Sequence, residues 1–315
     1  MSHFVLNTNH TDQRSISLVL GSGGARGLAH IGVIRILERF GFHIRSISGC
    51  SMGALIGGIY AAGKLDEFEQ WVCSIDRLDI VNLLDIAWGT DGLVKGDKII
   101  ATLTEMVGDI EIEALPIKYT AVAADISAEK EVWINSGPLF DAIRASISLP
   151  MFFTPVKYKN SFLVDGGVLN PVPIAPTFND QSDLTIAVNL GGALAVIEEE
   201  PSTDTEIEPE GSLHRQVVGF INRLAGTNLG ESSRNGARQD KLAFYDVANQ
   251  AFDSMQSTIA RQKLAAYPPD YVIELPRNAC GTLEFDRAKS MIALGEKKAL
   301  ECLTRMGVKT DSAVD

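Results

Sequence analysis

The five residues "GCSMG", Gly49 to Gly53, occupy the point where the chain changes its hydrophobic pattern. An apolar run, Ile44–Ser48, precedes them, and a stretch of small residues, Ala54–Ala62, follows. The run has the length of a strand, whereas the small-residue stretch is helical in composition despite its glycines. The sequence therefore predicts a strand, a sharp turn and a helix, with Ser51 in the turn.

This strand–turn–helix context is the one that a nucleophile elbow requires. A sharp turn projects Ser51 from the carboxyl end of the strand, and glycines at 49 and 53 let neighbouring backbone segments approach without Cβ clashes. A G-x-S-x-G string alone is weak, because glycine and serine are common. The flanking elements strengthen the hypothesis that Ser51 is a nucleophile.

A second glycine-rich segment, "GSGGARG" at 21–27, also lies between a predicted strand and a predicted helix. The strand is Ser15–Leu20, and apolar residues then recur at helical spacing until Gly41. Alternation of strands and helices in this order is typical of a parallel sheet covered by helices. We therefore expect an α/β protein with three layers, α/β/α, around a mostly parallel sheet.

The segment 21–27 has two interpretations. A dinucleotide loop needs G-x-G-x-x-G, but Arg26 stands at the third glycine position in one register and Ser22 at the first in the other. The alternative is an anion site, since consecutive glycines at a helix start present backbone N–H groups to negative charge. An oxyanion hole beside Ser51 is the sharper hypothesis.

Further predicted elements extend the sheet and place the boundaries of the domain. Residues 15–315 are expected to form one domain, preceded by a flexible N-terminus at 1–14. Residues 198–212 are acidic and proline-containing at their start, which predicts a mobile insertion. The further predicted strands are Tyr119–Ala124, Glu131–Asn135, Phe162–Val164, Asp183–Leu190 and Tyr271–Leu275, and the further predicted helices are a layer between Lys64 and Val107, Pro138–Ser148, Leu213–Leu224, Val247–Ala265 and Phe285–Arg305.

A nucleophilic serine needs a base, and the sequence offers two arrangements. Asp165 ends a predicted strand and is followed by Gly166 and Gly167, although Asp-Gly is more often an ordinary turn. His214 lies downstream, so the chain order Ser51, Asp165, His214 also fits a conventional Ser-His-Asp esterase. The residues alone leave both arrangements open.

Taken together, the three motifs resemble the patatin-like phospholipase family. "GLAHIGVIRIL" and "AIRASISLP" add to the resemblance, which covers about residues 18–190 and looks like the stand-alone bacterial members related to the neuropathy target esterase catalytic domain. The motifs, in the family's order, are Gly23-Gly24-Ala25-Arg26-Gly27, Gly49-Cys50-Ser51-Met52-Gly53 and Asp165-Gly166-Gly167.

The resemblance implies a patatin-like fold and hydrolysis of phospholipid or lysophospholipid esters through an acyl-serine. Ser51 would be the nucleophile and Asp165 the base in a Ser-Asp dyad, and the N–H groups of Gly23 and Gly24 would form the oxyanion hole. No cofactor or metal is implied. Ser22 departs from the glycine of many members. The motif residues expected to support this site are Arg26, Gly27, Gly49, Gly53, Gly166 and Gly167.

Composition narrows the partners and the compartment. The formal net charge of −12 argues against nucleic acid, whose phosphates need clustered cations. Residues 1–14 lack the apolar core of a signal peptide, and no apolar run reaches the ~18 residues of a membrane span. We expect a cytoplasmic protein with a lipid ester substrate; contact with the inner membrane surface, the oligomeric state and a non-catalytic regulatory role stay open.

Overall fold

The structure, a computed structural model, describes residues 14–83, 94–195 and 234–309. The strands in these residues are β1 Ser15–Leu20, β2 His43–Cys50, β3 Lys118–Asp125, β4 Lys130–Ile134, β5 Val156–Tyr158, β6 Ser161–Asp165, β7 Leu184–Gly192 and β8 Tyr271–Pro276. The α-helices in the same residues are α1 Ala29–Arg39, α2 Met52–Ala61, α3 Leu65–Ser74, α4 Arg77–Leu83, α5 Asp97–Val107, α6 Leu139–Ser146, α7 Arg234–Ala266 and α8 Ala288–Arg305.

The strands form one sheet in the order β5-β6-β3-β2-β1-β7-β8, and β4 pairs with β3 outside this path. Every pairing among β1, β2, β3, β7 and β8 is parallel, and those of β4, β5 and β6 are antiparallel. The parallel strands bring their carboxyl ends to one edge of the sheet. This is the edge where loops of α/β proteins carry functional groups.

The register of β3 determines how the elbow and the Asp-Gly-Gly turn meet. Residues 121–125 of β3 pair with β4 on one side. On the other side, β2 pairs with β3 as far as Cys50 opposite Val122, and β6 pairs antiparallel with Asp165 opposite Ala123. Because β2 and β6 run toward each other along the same side of β3, their carboxyl ends meet there. Cys50 and Asp165 thus become neighbours.

The two faces of the sheet are covered by different helices. Ile16, Leu18 and Leu20 of β1 enter the larger core, which also holds buried residues of α1, α2 and α8. Val19, which points to the opposite face, packs in a smaller core with Ala260 of α7. Alternate residues of a strand face opposite sides, so β1 separates two helical layers.

The α/β class, the mostly parallel sheet and its flanking helices agree with the sequence prediction. Two features differ from it. The pattern did not predict β5, a three-residue strand that forms a hairpin with β6. α7 begins at Arg234 instead of about Val247, because the polar residues before Val247 give no hydrophobic period. The predicted flexible N-terminus (1–13 of it), the acidic insertion at 198–212 and the helix 213–224 lie outside the described residues, and the single-domain extent stays a prediction.

Candidate active site

Ser51 lies between β2 and α2 in a backbone conformation that few side chains adopt. Its φ and ψ angles are 55° and −125°, and positive φ is uncommon outside glycine. The neighbouring glycines make this turn sterically feasible. A Cβ at Gly49 would overlap the carbonyl oxygen of Gly53, and a Cβ at Gly53 would overlap that of Leu20. The strained turn thus depends on the two glycines on either side of the serine.

Ser146, the last residue of α6, holds the backbone of Ser51. The N–H of Ser51 donates to the Ser146 hydroxyl at 2.9 Å, and this hydroxyl donates to the carbonyl oxygen of Val122 at 2.7 Å. Ser146 is fully buried, so loss of its hydroxyl would leave two buried backbone groups without partners. Its contact with the elbow joins residues 95 positions apart and has no local sequence signal.

Asp165 is buried at the end of β6, beside the elbow. Its Oδ1 accepts a hydrogen bond from the Gly167 N–H at 2.7 Å and faces the Cys50 Sγ at 3.7 Å. Its Oδ2 is buried without a hydrogen-bond partner among the described residues. Burial raises the pKa of Asp165 to about 6, while the Ser51 hydroxyl, the Gly167 N–H and the Cys50 thiol act to lower it. The carboxyl group is therefore poised to exchange a proton near neutral pH.

The contact between Ser51 and Asp165 is looser than a full hydrogen bond. The Ser51 side chain is close enough to influence the pKa of Asp165, but Oδ2 has no partner at hydrogen-bond geometry. Catalytic hydrogen bonds are often long without substrate and tighten when it binds. The two side chains are therefore neighbours where the carboxyl ends of β2 and β6 meet.

The loop after β1 presents two unpaired N–H groups. The N–H groups of Gly21, Ser22 and Ala25 donate to carbonyl oxygens at distances between 2.8 and 3.1 Å. Those of Gly23 and Gly24 donate to no other group in the described part of the chain. Adjacent N–H groups without acceptors are able to stabilise negative charge, and Gly24 lines the same cavity as Ser51.

Residues from the C-terminal part of the chain support this loop. Arg26 is buried, and it donates to the carbonyl oxygen of Cys280 at 3.1 Å and to Asp253 of α7 at 3.2 Å. Ser22, which stands where many family members carry glycine, accepts a hydrogen bond from Gln256 of α7 at 3.3 Å. Arg26 and Ser22 thus connect the glycine loop to residues more than 200 positions away.

Two polar residues near the motifs have structural roles. His30 is fully buried, and its Nε2 lies 2.9 Å from the carbonyl oxygen of Gly21. Burial lowers the pKa of His30 to about 4, so its ring is neutral at pH 7 and Nε2 must be the donor. Ser148 donates to the carbonyl oxygen of Arg144 at 2.8 Å and accepts from the Arg144 guanidinium. Neither residue contacts Ser51.

Ser51 and Gly24 open onto an apolar cavity with an empty volume of about 1020 Å³, part of which is open to solvent. Side chains from α2, α3, α4 and α5 line it, together with the loops 147–153 and 282–285. Ser51 and Thr282 are the two residues with hydroxyl groups among the described residues that line the cavity. No charged side chain of the described residues lines it. Such a cavity suits a hydrocarbon chain whose polar end reaches Ser51.

The structure brings several of the predicted site residues together. Ser51 lies beside Asp165 and lines one cavity with Gly24, which follows Gly23 in the loop after β1. Arg26 joins this loop to Asp253 and Cys280. Gly27, Gly166 and Gly167 are packing positions, since a Cβ would meet Met52, Val122 or Gln256 respectively. His214, the base of the alternative triad, lies outside the described residues.

The fold and this arrangement define the class of protein. A family model described as patatin-like phospholipase matches residues 18–178. The chain therefore belongs to the patatin-like phospholipase family, as the motif resemblance predicted. The family implies lipid acyl hydrolase activity.

The relatives specify the branch of the family. An uncharacterized NTE family protein of Mycobacterium tuberculosis is 38% identical over 95% of this chain and 94% of its own length. Lysophospholipase NTE1 of Pyricularia oryzae is 27% identical over 93% of this chain, which spans only 19% of that protein. The solved structure of VipD from Legionella pneumophila aligns with 93% of this chain and with 67% of the VipD chain, at 13% sequence identity. The TM-score of this alignment is 0.43, which is too low to support an assignment.

The helices give one further observation about membranes. Among residues 14–83, 94–195 and 234–309, no helix combines the length and apolar character that crossing a bilayer requires.

Proposed function

We propose that this protein hydrolyses carboxylic esters of phospholipids or lysophospholipids through a Ser-Asp dyad. One observation carries the proposal: Ser51 lines an almost wholly apolar cavity together with Gly24 of the glycine loop, and the buried carboxyl group of Asp165 lies beside it. This combination provides a nucleophile, a base, an anion site and a place for an acyl chain. The names of the fungal relatives, which are lysophospholipases, agree with it.

In the proposed reaction, Ser51 Oγ attacks the ester carbonyl while its proton passes to Asp165. The N–H groups of Gly23 and Gly24 then stabilise the tetrahedral oxyanion. When the intermediate collapses, Asp165 returns the proton to the leaving alcohol, and an acyl-serine remains. Water, deprotonated by the same carboxylate, releases the fatty acid and regenerates Ser51.

Contact with a lipid surface is the proposed route of substrate entry. Leu78 of α4 is 73% exposed, and Ile80 and Leu83 of the same helix line the cavity. Met151 is 47% exposed and precedes Phe152, another lining residue. Because the net charge is −12, apolar side chains would have to supply the affinity for lipid. Sedimentation with neutral vesicles should therefore weaken in a Leu78→Ser, Met151→Ser double variant.

Labelling with a fluorophosphonate, followed by mass spectrometry of the modified peptide, tests the proposed nucleophile. The wild type should be labelled at Ser51 and should release fatty acid from lysophosphatidylcholine. Ser51→Ala should lose both properties, and Asp165→Asn should lose nearly all turnover while keeping its fold by circular dichroism. Labelling elsewhere in the wild type, or in Ser51→Ala, would overturn the mechanism.

The same assay separates the two alternatives that the sequence left open. His214→Ala should keep activity within about twofold of the wild type, because the dyad needs no histidine. Near-complete loss would favour the Ser-His-Asp triad instead. A wild type that binds lysophospholipid without labelling or turnover would favour a non-catalytic binding protein.

A further inference from the structure

The two carboxylate oxygens of Asp165 lie in different surroundings. Oδ1 has two donors beside it, the Gly167 N–H at 2.7 Å and the Cys50 Sγ at 3.7 Å. Oδ2 has no hydrogen-bond partner among the described residues, although it is buried. Because both donors bind Oδ1, the lone pairs of Oδ2 stay available to accept a proton.

The Cys50 thiol can act only as a donor at this position. Cys50 is fully buried, and burial followed by the charge of Asp165 raises its pKa well above the ordinary value. It therefore keeps its proton at neutral pH. The position of the thiol is fixed by the sheet, because Cys50 pairs with Val122 and Asp165 pairs with the next residue, Ala123.

We propose that Cys50 is a positioning residue whose thiol, with the Gly167 N–H, holds Oδ1 of Asp165 so that Oδ2 accepts the proton of Ser51. This inference rests on the proposed dyad and assigns the proton to one atom within it. The Oγ–carbonyl carbon bond forms as the O–H bond of Ser51 breaks and its proton moves to Oδ2. On collapse, the same proton leaves Oδ2 for the oxygen of the departing alcohol.

The groups that face Asp165 allow the thiol to be tested through the pH dependence. Ser51, Cys50 and the Gly167 N–H act on the carboxyl group directly, and the pKa of Asp165 shows no contribution from a charged side chain of the described residues. The Ser22 hydroxyl and the Gln256 amide lie behind Gly167, and Glu131 of β4 acts on the Cys50 thiol. A donor to a carboxylate stabilises the charged form, so removal of the thiol should raise the pKa of Asp165.

The experiment compares Cys50→Ala, which removes the donor, with Cys50→Ser, which restores a hydroxyl donor. Cys302→Ala is the matched control, since Cys302 is also buried but lies in α8 away from the site. Hydrolysis of a p-nitrophenyl acyl ester is followed between pH 5 and 9, and kcat and KM are determined at each pH. The acid limb is the part of the pH profile in which kcat/KM falls as the pH is lowered. Thermal melts identify variants that fail to fold, and Cys50→Val provides a second donor-free variant that fills the volume.

The donor-free variants should lose about tenfold or more in kcat with little change in KM, and their acid limb should move up by roughly 0.5 to 1 pH unit. Cys50→Ser should recover kcat and return the limb toward the wild type. An unmoved limb in folded Cys50→Ala or Cys50→Val would overturn the inference, as would an equal shift in Cys302→Ala. Activity that survives in Ser51→Ala would instead overturn the dyad itself, so the two failures are distinguishable.

Discussion

The polar end of the site and the apolar cavity meet at Ser51 but are built in opposite ways. At the polar end, glycines, a strained turn and individual hydrogen bonds hold each group in place. In the cavity, side chains from four helices and two loops contribute similar hydrocarbon surface. A change at the polar end should therefore act on all substrates, whereas a change in the cavity should discriminate between them.

The largest effect is expected for Gly53→Ala at the polar end. A new Cβ would overlap the carbonyl oxygen of Leu20, and neither β1 nor α2 can move without disturbing the core. We expect loss of roughly 3 kcal/mol or more of unfolding free energy, together with all activity, in denaturant melts and ester assays. Gly281→Ala is the control, because its Cβ would meet only the flexible Glu284 side chain. Equal behaviour of the two variants would contradict the steric explanation.

Asp165→Asn separates activity from stability. The amide preserves the acceptor for Gly167 but cannot take a proton, so kcat should fall by about 10²-fold to 10⁴-fold. Because burial raises the pKa of Asp165 from 3.8 to about 6, the folded protein holds this proton more tightly than the unfolded chain. The carboxylate consequently destabilises the fold above about pH 6, and this penalty disappears as the pH falls below about 4.

The stability of Asp165→Asn should thus exceed that of the wild type at pH 8, by up to roughly 3 kcal/mol, and should converge with it at pH 4. In the wild type, kcat/KM should decline below about pH 6 as Asp165 becomes protonated. Thermal melts at the two pH values and a pH–rate profile measure both effects. A variant that is less stable than the wild type at pH 8 would show that the carboxylate is not a strained group.

A smaller effect is expected when the support of the elbow is removed. Ser146→Ala should lower kcat by about tenfold to a hundredfold, because the Ser51 N–H and the Val122 carbonyl lose their shared partner. Ser148→Ala, two residues away, should change kcat by less than threefold. The measurement is the rate of fluorophosphonate labelling of the Ser146→Ala and Ser148→Ala variants, compared under conditions in which the same fraction of each is folded. If both variants slow labelling equally, Ser146 has no specific role in placing Ser51.

The smallest overall effect, and the most selective, is expected in the cavity. Leu283 lines it and is partly exposed, so Leu283→Trp should shorten the cavity without disrupting the core. We expect about a tenfold lower kcat/KM for long acyl esters and little change for short ones. Leu194→Trp, at an exposed leucine that neither lines the cavity nor belongs to the proposed lipid contact, is the control. An equal loss for all chain lengths would place the acyl chain elsewhere.

The sequence draws attention to the polar end because each of its three motifs is contiguous in the chain, whereas the pairing of Ser51 with Asp165 is implied only by the family resemblance. Gly49 and Asp165 lie at the ends of β2 and β6, and Gly53 lies in the first turn of α2. These three positions adjoin strand and helix patterns that can be recognised in the sequence. The parallel strands β1, β2, β3, β7 and β8 likewise follow from their hydrophobic patterns. Contiguous motifs and strand patterns depend on near neighbours in the chain, and they can therefore be recognised without the structure.

The remaining features could not be predicted because they arise from the tertiary structure. Ser146 reaches Ser51 only after α6 packs against β3, and a serine at a helix end gives no sign of it. The hairpin strand β5 has three residues, too few for a pattern. Phe68 and Leu103 line the cavity, but their apolar spacing is that of ordinary core residues.

The support of the glycine loop by the C-terminal residues has a consequence for synthesis. Ala25 donates to the carbonyl oxygen of Thr282, and Arg26 to that of Cys280. During synthesis, the three motifs therefore precede the residues that hold the glycine loop. A chain that has been translated only as far as residue 279 carries Ser51 and Asp165 but lacks both of these carbonyl acceptors.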